Sequence, residues 1–590
     1  MFARKTSCHQ GRYSRALASR REQTRTIATA SGNLHFARMT QNRTPPKGDE
    51  ADFEITANLA DVVGGEIRPA RVTVRGGRVA DIAAAPAAAC STFLSPGWVD
   101  AHVHIESSML APTAFARAAV VHGVVATVSD PHEIANVLGR EGVLWMVDNA
   151  KRSPFKFHFG APSCVPATAF ETAGAAFGLG DVAALLDTEG IHFLAEVMNF
   201  PAVIGGDEHV HAIIAAARGR SLRVDGHAPG VMGDDLAAFA AAGIETDHEC
   251  VTLDEALARL RLGVRVALRE GSAARNFDAL WPALREFPAE CFLCSDDKHP
   301  DDLVRGYLGD ILRRAVANGV SPMDALRAAT LNPVRHYNLP AGLLAPGDPA
   351  DMVEFDNLTD FRVRRTWIDG RCVAAEGRTH LPAVPVRPVN VFRARPVDEA
   401  GLTLPWRADK PFPVIVARDG QLVTVREDLV PTIRDGTAVS DPDRDLLKIV
   451  VVNRYKPAPP AVGLIRNFGL RRGAMAGSVA HDSHNIVAVG AGDTALARAI
   501  NAVVECGGGL AFAGPGGVET LPLPIAGLMS DGDPWTVAEA FERLTALAQE
   551  DGCPMRSPYM TLSFMALLVI PSLKISDRGL FDVDRFTLLG

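Results

Sequence analysis

The sequence predicts an α/β chain built around a (β/α)8 TIM barrel, with a small β-sandwich domain formed from segments before and after it and a C-terminal α/β domain. Three observations carry this expectation. Residues 97–330 alternate short apolar runs with Ala/Leu-rich stretches of helical period, such as "DDLAAFAAAGI" and "LDEALARLRLG", the pattern of parallel strands joined by helical crossovers. Eight strand candidates fall there: "GWVDAHVH", "VVATVSD", "FKFHFGAPS", "HFLAEVMNF", "LRVDGHAP", "IETDHE", "RVALREG" and "CFLCSDD". Roughly 240 residues for eight such units matches a barrel. The flanks "DFEITANLADVVGGEIRPARVTVRGGRVADIAAA" and "GLLAPGDPADMVEFDNLTDFRVRRTWIDGRCVAAEG" have the β-rich runs and closely spaced turns of one split β domain.

The expected boundaries follow from these shifts. Residues 1–48, rich in Arg and Ser and nearly free of acids, read as a leader or as an extension ahead of a start at Met39, without folded structure. Residues 49–95 and 339–398 form the small β domain, 96–338 the barrel and 399–590 the C-terminal domain. A net charge of −9 argues against nucleic acid as a partner. No apolar run reaches the roughly 18 residues that span a bilayer, so no membrane partner is expected. Nine cysteines without framework spacing fit a reducing cytoplasm. Cys291 and Cys294, three apart on a strand, point to opposite faces and cannot share an ion. "GGGLAFAGPGG" lacks a phosphate-loop lysine and reads as a turn. There is no G-x-S-x-G elbow, P-loop or strand-following G-x-G-x-x-G.

Barrel chemistry sits at the C-terminal strand ends, and there the polar residues gather. Strand one ends in His102 and His104, strand two in Asp130 with His132 and Glu133 after it. Strand four carries Glu196, five His227, six His248, and eight Asp296 and Asp297. On a strand, i and i+2 face the same way, so His102 and His104 can grip one ion. A second H-x-H, His209 and His211, opens a predicted helix, where residues two apart diverge by about 200°; it is expected on a solvated face. Imidazole with carboxylate and no thiolate suits zinc, manganese or iron. The set exceeds what one tetrahedral ion needs, so a two-metal site bridged by Glu196 is the economical reading.

The motifs "PGWVDAHVHIESS", "DPHEIANVLG", "PSCVPAT", "EVMNFPAVI", "DGHAPG", "TDHE", "REGSAARN" and "CSDDKHPDDL" resemble the metallo-dependent amidohydrolase superfamily and, within it, the bacterial-type adenine deaminase family. "SVAHDSHNIVAVG" and "LPLPIAGLMS" resemble that family's C-terminal domain, so the likeness spans about residues 55–590. It implies hydrolysis of adenine to hypoxanthine and ammonia in purine salvage, by a hydroxide activated by two divalent ions, manganese or iron with zinc as the alternative. The implied ligands are His102, His104, Glu196, His227, His248 and Asp296. Glu196 stands where most amidohydrolases carry a carbamylated lysine.

The resemblance also implies roles. Asp296 serves as general base and then acid, and Asp130 with Glu133 forms an acidic pair beside the metals, Glu133 either transferring the proton to ring N1 or orienting a neighbouring group. Arg269, Glu270 and Ser272, at the end of strand seven, are candidates to line the base pocket, unless Arg269 and Glu270 simply pair with each other; Asn199 and Ser163 either hydrogen-bond adenine or merely satisfy a loop. His484, with His481, is a candidate to reach over the barrel mouth, either toward the chemistry or only as an interdomain hydrogen-bonding contact. A homo-oligomer, in the simplest case a dimer, is expected. The alternatives are an amidohydrolase acting on another aminopurine or cyclic amide, and a barrel scaffold without catalysis.

Overall fold

The computed structural model describes residues 52–407 and 410–589; the extension expected over 1–48 lies outside them. Four strands come first: β1 (Phe53–Asp61), β2 (Glu66–Arg75), β3 (Arg78–Ala84) and β4 (Phe93–Pro96). Eight more follow, alternating with helices: β5 (Trp98–Val103), β6 (Val124–Ser129), β7 (Lys156–Ala161), β8 (Ile191–Val197), β9 (Arg223–Gly226), β10 (Thr246–Asp247), β11 (Arg265–Arg269) and β12 (Cys291–Cys294). They coincide with the eight strands expected from sequence. Strands β5 to β9 pair in order as one parallel sheet and β10 to β12 as another. At one seam the Glu245 amide donates to the Val224 carbonyl at 2.9 Å, and at the other the Asp296 amide donates to the His102 carbonyl at 2.9 Å. This is a TIM-barrel-like α/β fold.

Strands β13 (Met352–Phe355), β14 (Val363–Ile368), β15 (Arg371–Ala375) and β16 (Arg378–Thr379) then return to the first four, in the order β16-β15-β14-β13-β4-β1-β2-β3. The expected two-layer sandwich is thus one continuous sheet. Register shifts in three of its pairings add twist, and the sheet curls until Phe53 of β1 stacks on Trp367 of β14 at 5.9 Å. It is tied to the barrel by Lys156 of β7, whose buried ammonium donates to Asp351, to Asp369 at 2.9 Å and to the Pro340 carbonyl at 3.0 Å.

Beyond residue 400 a mixed eight-stranded sheet forms the C-terminal region. It contains β17 (Phe412–Val416), β18 (Val425–Leu429), β21 (Leu447–Val452), β22 (Ala461–Arg466), β23 (Ala474–Gly477), β24 (Ile486–Gly490), β25 (Gly509–Gly514) and β26 (Gly517–Pro522); β19 (Thr432–Arg434) and β20 (Thr437–Val439) make a separate hairpin. Alternation along β21 sorts its two faces. Val450 and Val452 pack with Leu496 and Ile500 of the helix Asp493–Glu505. Ile449 and Val451 belong to the same apolar core as the barrel. The Gly-rich run expected to be a turn is mostly strand: it turns at Gly507 and Gly508 and again between β25 and β26, and the rest is a core strand because Leu510 and Phe512 are buried.

His209 and His211 lie on the helix Glu208–Arg218 and part as expected, His209 exposed and His211 bonded to the Val203 carbonyl at 2.9 Å. Cys291 and Cys294 are buried free thiols in β12. No helix among the described residues is long and apolar enough to cross a membrane.

Candidate active site

At the C-terminal strand ends a repeated local device sets the geometry. An aspartate just before the functional side chains accepts backbone N–H groups. Asp100 Oδ1 accepts from the His102 amide at 3.3 Å and, across the seam, from the Ser295 amide at 3.0 Å. Asp130 accepts from the His132 amide at 3.0 Å and the Glu196 amide at 3.2 Å. Asp247 accepts from the Glu249 amide at 2.9 Å and from Arg259 Nε at 2.6 Å. Asp225 accepts the hydroxyls of Thr246 at 2.8 Å and Tyr337 at 3.0 Å. Such buried carboxylates are tolerated because each is fully hydrogen-bonded. Gly226 completes the frame: a Cβ there would sit 2.6 Å from the Thr246 carbonyl oxygen, so only glycine lets β9 approach β10 and deliver His227.

These stitches bring the ends of five strands to one point. The Nε2 atoms of His102 and His104 are 3.1 Å apart. His104 Nδ1 donates to the Asp130 carbonyl at 3.2 Å, which leaves its Nε2 lone pair free to ligate. That Nε2 lies 3.2 Å from Asp296 Oδ1 and 3.4 Å from Glu196 Oε1. The other oxygen of Glu196 lies 2.8 Å from His227 Nδ1 and 3.2 Å from His248 Nε2. Asp296 holds a left-handed backbone, φ 59°, which aspartate visits more readily than bulky residues, and so turns its carboxylate inward as its amide closes the seam. All six side chains are buried.

The electrostatics match a cation site. Burial alone would raise the Glu196 carboxyl, but the imidazoles of His248 and His227 hold it well below the usual range. Burial likewise opposes ionisation of Asp296, and the Arg269 guanidinium outweighs it. Donor atoms of His102, His248 and Asp296, and of Glu196, His227 and His248, lie within 4.8 Å of one another in each set. His227 Nε2 and His132 Nδ1 are buried without a hydrogen-bond partner. Imidazoles converging on ionised carboxylates, with no thiolate, fit a hard-to-borderline divalent metal.

Across the mouth lies a second grip. Glu133, on the helix His132–Leu138, meets two histidines from the loop between β23 and β24: His481 Nδ1 stands 2.6 Å from its Oε1, and His484 Nε2 bonds its Oε2. All three are buried. The C-terminal region therefore forms part of the wall of the site.

Two family models match the chain: the amidohydrolase family over residues 93–373 and the adenine deaminase C-terminal domain over residues 421–587. The adenine deaminase of Salinibacter ruber is 53% identical over 544 residues, covering 91% of this chain and 99% of the relative. That of a Sulfurovum species is 48% identical over 535 residues, 90% and 98% covered, and that of Methanosarcina mazei 47% over 506 residues, 84% and 91% covered. The chain belongs to the adenine deaminase family.

Within this adenine deaminase family member the remaining candidates are already engaged. Arg269 does not pair with Glu270; it donates to Glu249 at 2.6 and 2.8 Å and to Asp296 at 2.6 Å, while Glu270 turns away to Arg314. The reason is strand alternation: Arg269 ends β11 pointing inward and Glu270 follows it outward. Ser272 donates to Asp302 at 2.7 Å and accepts from the His299 amide at 2.9 Å. Asn199 Oδ1 caps the helix Phe200–Gly205, accepting from the Ala202 amide at 3.3 Å. Ser163 donates to the Glu196 carbonyl at 2.5 Å. Asp130 accepts from the amides of His132 and Glu196, and Asp297 accepts from Ser107 at 2.5 Å, while Asp296 is the one of the two aspartates that lies against His102 and is clamped by Arg269.

Sequence reasoning missed Glu249, which lies 3.4 Å from His227 and 3.5 Å from His248 and is clamped by Arg269. It also gave no role to His132, whose Nδ1 is 3.4 Å from Glu196. The D-x-H spacing shared by Asp100/His102, Asp130/His132 and Asp225/His227 is a signal that would have drawn His132 in.

Proposed function

We infer that the chain hydrolyses adenine to hypoxanthine and ammonia, a step of purine salvage. The observation that carries this is 53% identity with an adenine deaminase across nearly that whole relative, joined to a buried His/Glu/Asp cluster at the barrel mouth. His102, His104, Glu196, His227, His248 and Asp296 would hold two divalent ions, manganese or iron, with Glu196 shared: one oxygen faces His104 and the other faces His227 and His248. Such ions, when bound, lower the pKa of water toward neutrality and so supply a nucleophile at pH 7.

The chain's own groups do the rest. Asp296, kept ionised by Arg269, is placed to accept a proton from the attacking water and return it to the departing amine. Glu249 holds Arg269 in that position through both oxygens. Cys164, Ala167 and Met198 make an apolar patch separate from the main core, joined by Val569 of the C-terminal region and lying beside Ser163 and Glu196. This patch is the surface offered to the flat purine ring. The reading takes residues 49–95 with 339–398 as the small β domain, 96–338 as a closed (β/α)8 barrel and 399–590 as the C-terminal domain of a cytoplasmic homodimer.

The test is ammonia release by manganese-loaded protein offered adenine, other aminopurines and cyclic amides, with ions counted per chain. Fast turnover of adenine with about two ions per chain is expected. Turnover of another substrate with adenine inert would overturn the assignment.

A further inference from the structure

Glu133 is the acid for which the resemblance left proton transfer open, yet both of its oxygens are taken. His484 fills one. Its Nδ1 accepts from the Ala480 amide at 3.1 Å, so the ring proton sits on Nε2 and is donated to Glu133 Oε2. His481 Nδ1 fills the other at 2.6 Å. Glu133 is thus an acceptor through both of its oxygens.

His481 is different. Its ring is buried and stacked on Phe564, with centroids 4.7 Å apart and 21° between planes. Its Nδ1 is held by Glu133, while its Nε2 is buried without a hydrogen-bond partner. A buried polar nitrogen left unpaired is rare and asks for a reason. A carboxylate that fixes one imidazole nitrogen and leaves the other free is the arrangement that acid–base dyads use.

We propose that His481 is the group that protonates the purine ring, as the outer half of a Glu133–His481 dyad assembled from the barrel and the C-terminal region. This rests on adenine being the substrate. His481 Nε2–H gives its proton to ring N1 as the hydroxide equivalent of water bonds to C6, leaving neutral His481 with Nδ1–H on the Glu133 carboxylate. The C6 hydroxyl proton passes through Asp296 to the amine, the C6–N bond breaks and ammonia departs. N1 keeps its proton in hypoxanthine, and His481 regains one from solvent, replacing the proton that water shed on forming hydroxide.

The groups around His481 favour the charged form that this step needs. Burial and the neighbouring His299 and His484 oppose a charge, but Glu133, Asp297 and Asp482 outweigh them and raise the imidazole to about 9. His481 itself contributes to holding Glu133 well below the usual carboxylate range.

The experiment compares metal-loaded wild type with His481→Asn, which keeps a donor near Glu133 but removes Nε2. The expected result is a fall in kcat on the order of 10²- to 10⁴-fold, with KM and ions per chain unchanged. The alkaline limb of the wild-type kcat profile, near pH 9, is expected to vanish. Glu133→Gln keeps Nε2 but removes the charge, so its alkaline limb should move to lower pH. A His481→Asn enzyme within threefold of wild type, or one that loses ions in step with activity, overturns the dyad. So does a Glu133→Gln limb that stays in place, which decides the matter if His481→Asn fails to fold. Wild type inert toward adenine would overturn the dyad and the substrate together, whereas an active wild type with undiminished variants overturns the dyad alone.

Discussion

Glu196 and Glu133 are two buried carboxylates gripped by imidazoles, and they differ in where the nearest pair on each comes from. His227 and His248 follow β9 and β10, the next two strands of the barrel after β8, so the grip on Glu196 is built within the barrel. His481 and His484 come from a loop some 350 residues along the chain, 351 in the case of His484, so the grip on Glu133 exists only when the C-terminal region is docked. Strand ends give fixed donors that suit an ion. A loop laid across the mouth gives donors that close the site as it docks.

The largest effect expected to separate the two grips is that of Glu196→Gln. It should remove both ions and lower kcat/KM by about 10³-fold or more, read by metal analysis beside ammonia release. Glu133→Gln should lower kcat by about 10²-fold while the ions stay bound. If it too lost its ions, the two carboxylates would share one role and the contrast would collapse.

Stability sharpens the contrast further. Arg269→Met leaves Glu249 and Asp296 buried beside one another without their cation, and should cost about 3–5 kcal/mol, seen as a lowered denaturation midpoint of the metal-free protein. On the C-terminal side, Lys574 is buried with only the carbonyls of Leu422, at 2.7 Å, and Phe564, at 2.9 Å, as partners, and Phe564 is the residue that stacks on His481. Burial lowers its ammonium to about 7. The unfolded chain, with an ordinary lysine near 10.4, then binds more protons between about pH 7 and 10, so stability should rise with pH across that window. Lys574→Met should flatten that rise in thermal melts taken from pH 7 to pH 10. The smallest effect belongs to His209→Ala on its exposed helix face, which should leave ion content and kcat unchanged and stability within about 0.5 kcal/mol.

Much of the buried His/Glu/Asp cluster was legible beforehand because it obeys local rules. His102 and His104 converge because a strand repeats every two residues, and Glu196, His227, His248 and Asp296 each end a strand whose apolar run marks it. The same rule separated His209 from His211 on a helix. What was not legible is contact between residues that no local rule relates. Arg269 was weighed against its chain neighbour Glu270, but its partners are Glu249 and Asp296 on adjacent strands. Ser272, a candidate for the base pocket, is held by Asp302, and of the two roles open to Asn199 the local one is seen, a helix cap.

The sequence by itself determined the parallel α/β order and the imidazole and carboxylate groups at the strand ends, because side-chain period and turn residues are properties of short segments. Only the tertiary structure decided which oxygen of Glu196 faces which imidazole, that the small β domain is one curled sheet, and that His481 and His484 reach Glu133. Those depend on how the barrel closes and on what packs across its mouth, and such distances are set by the whole core rather than by any stretch of the chain.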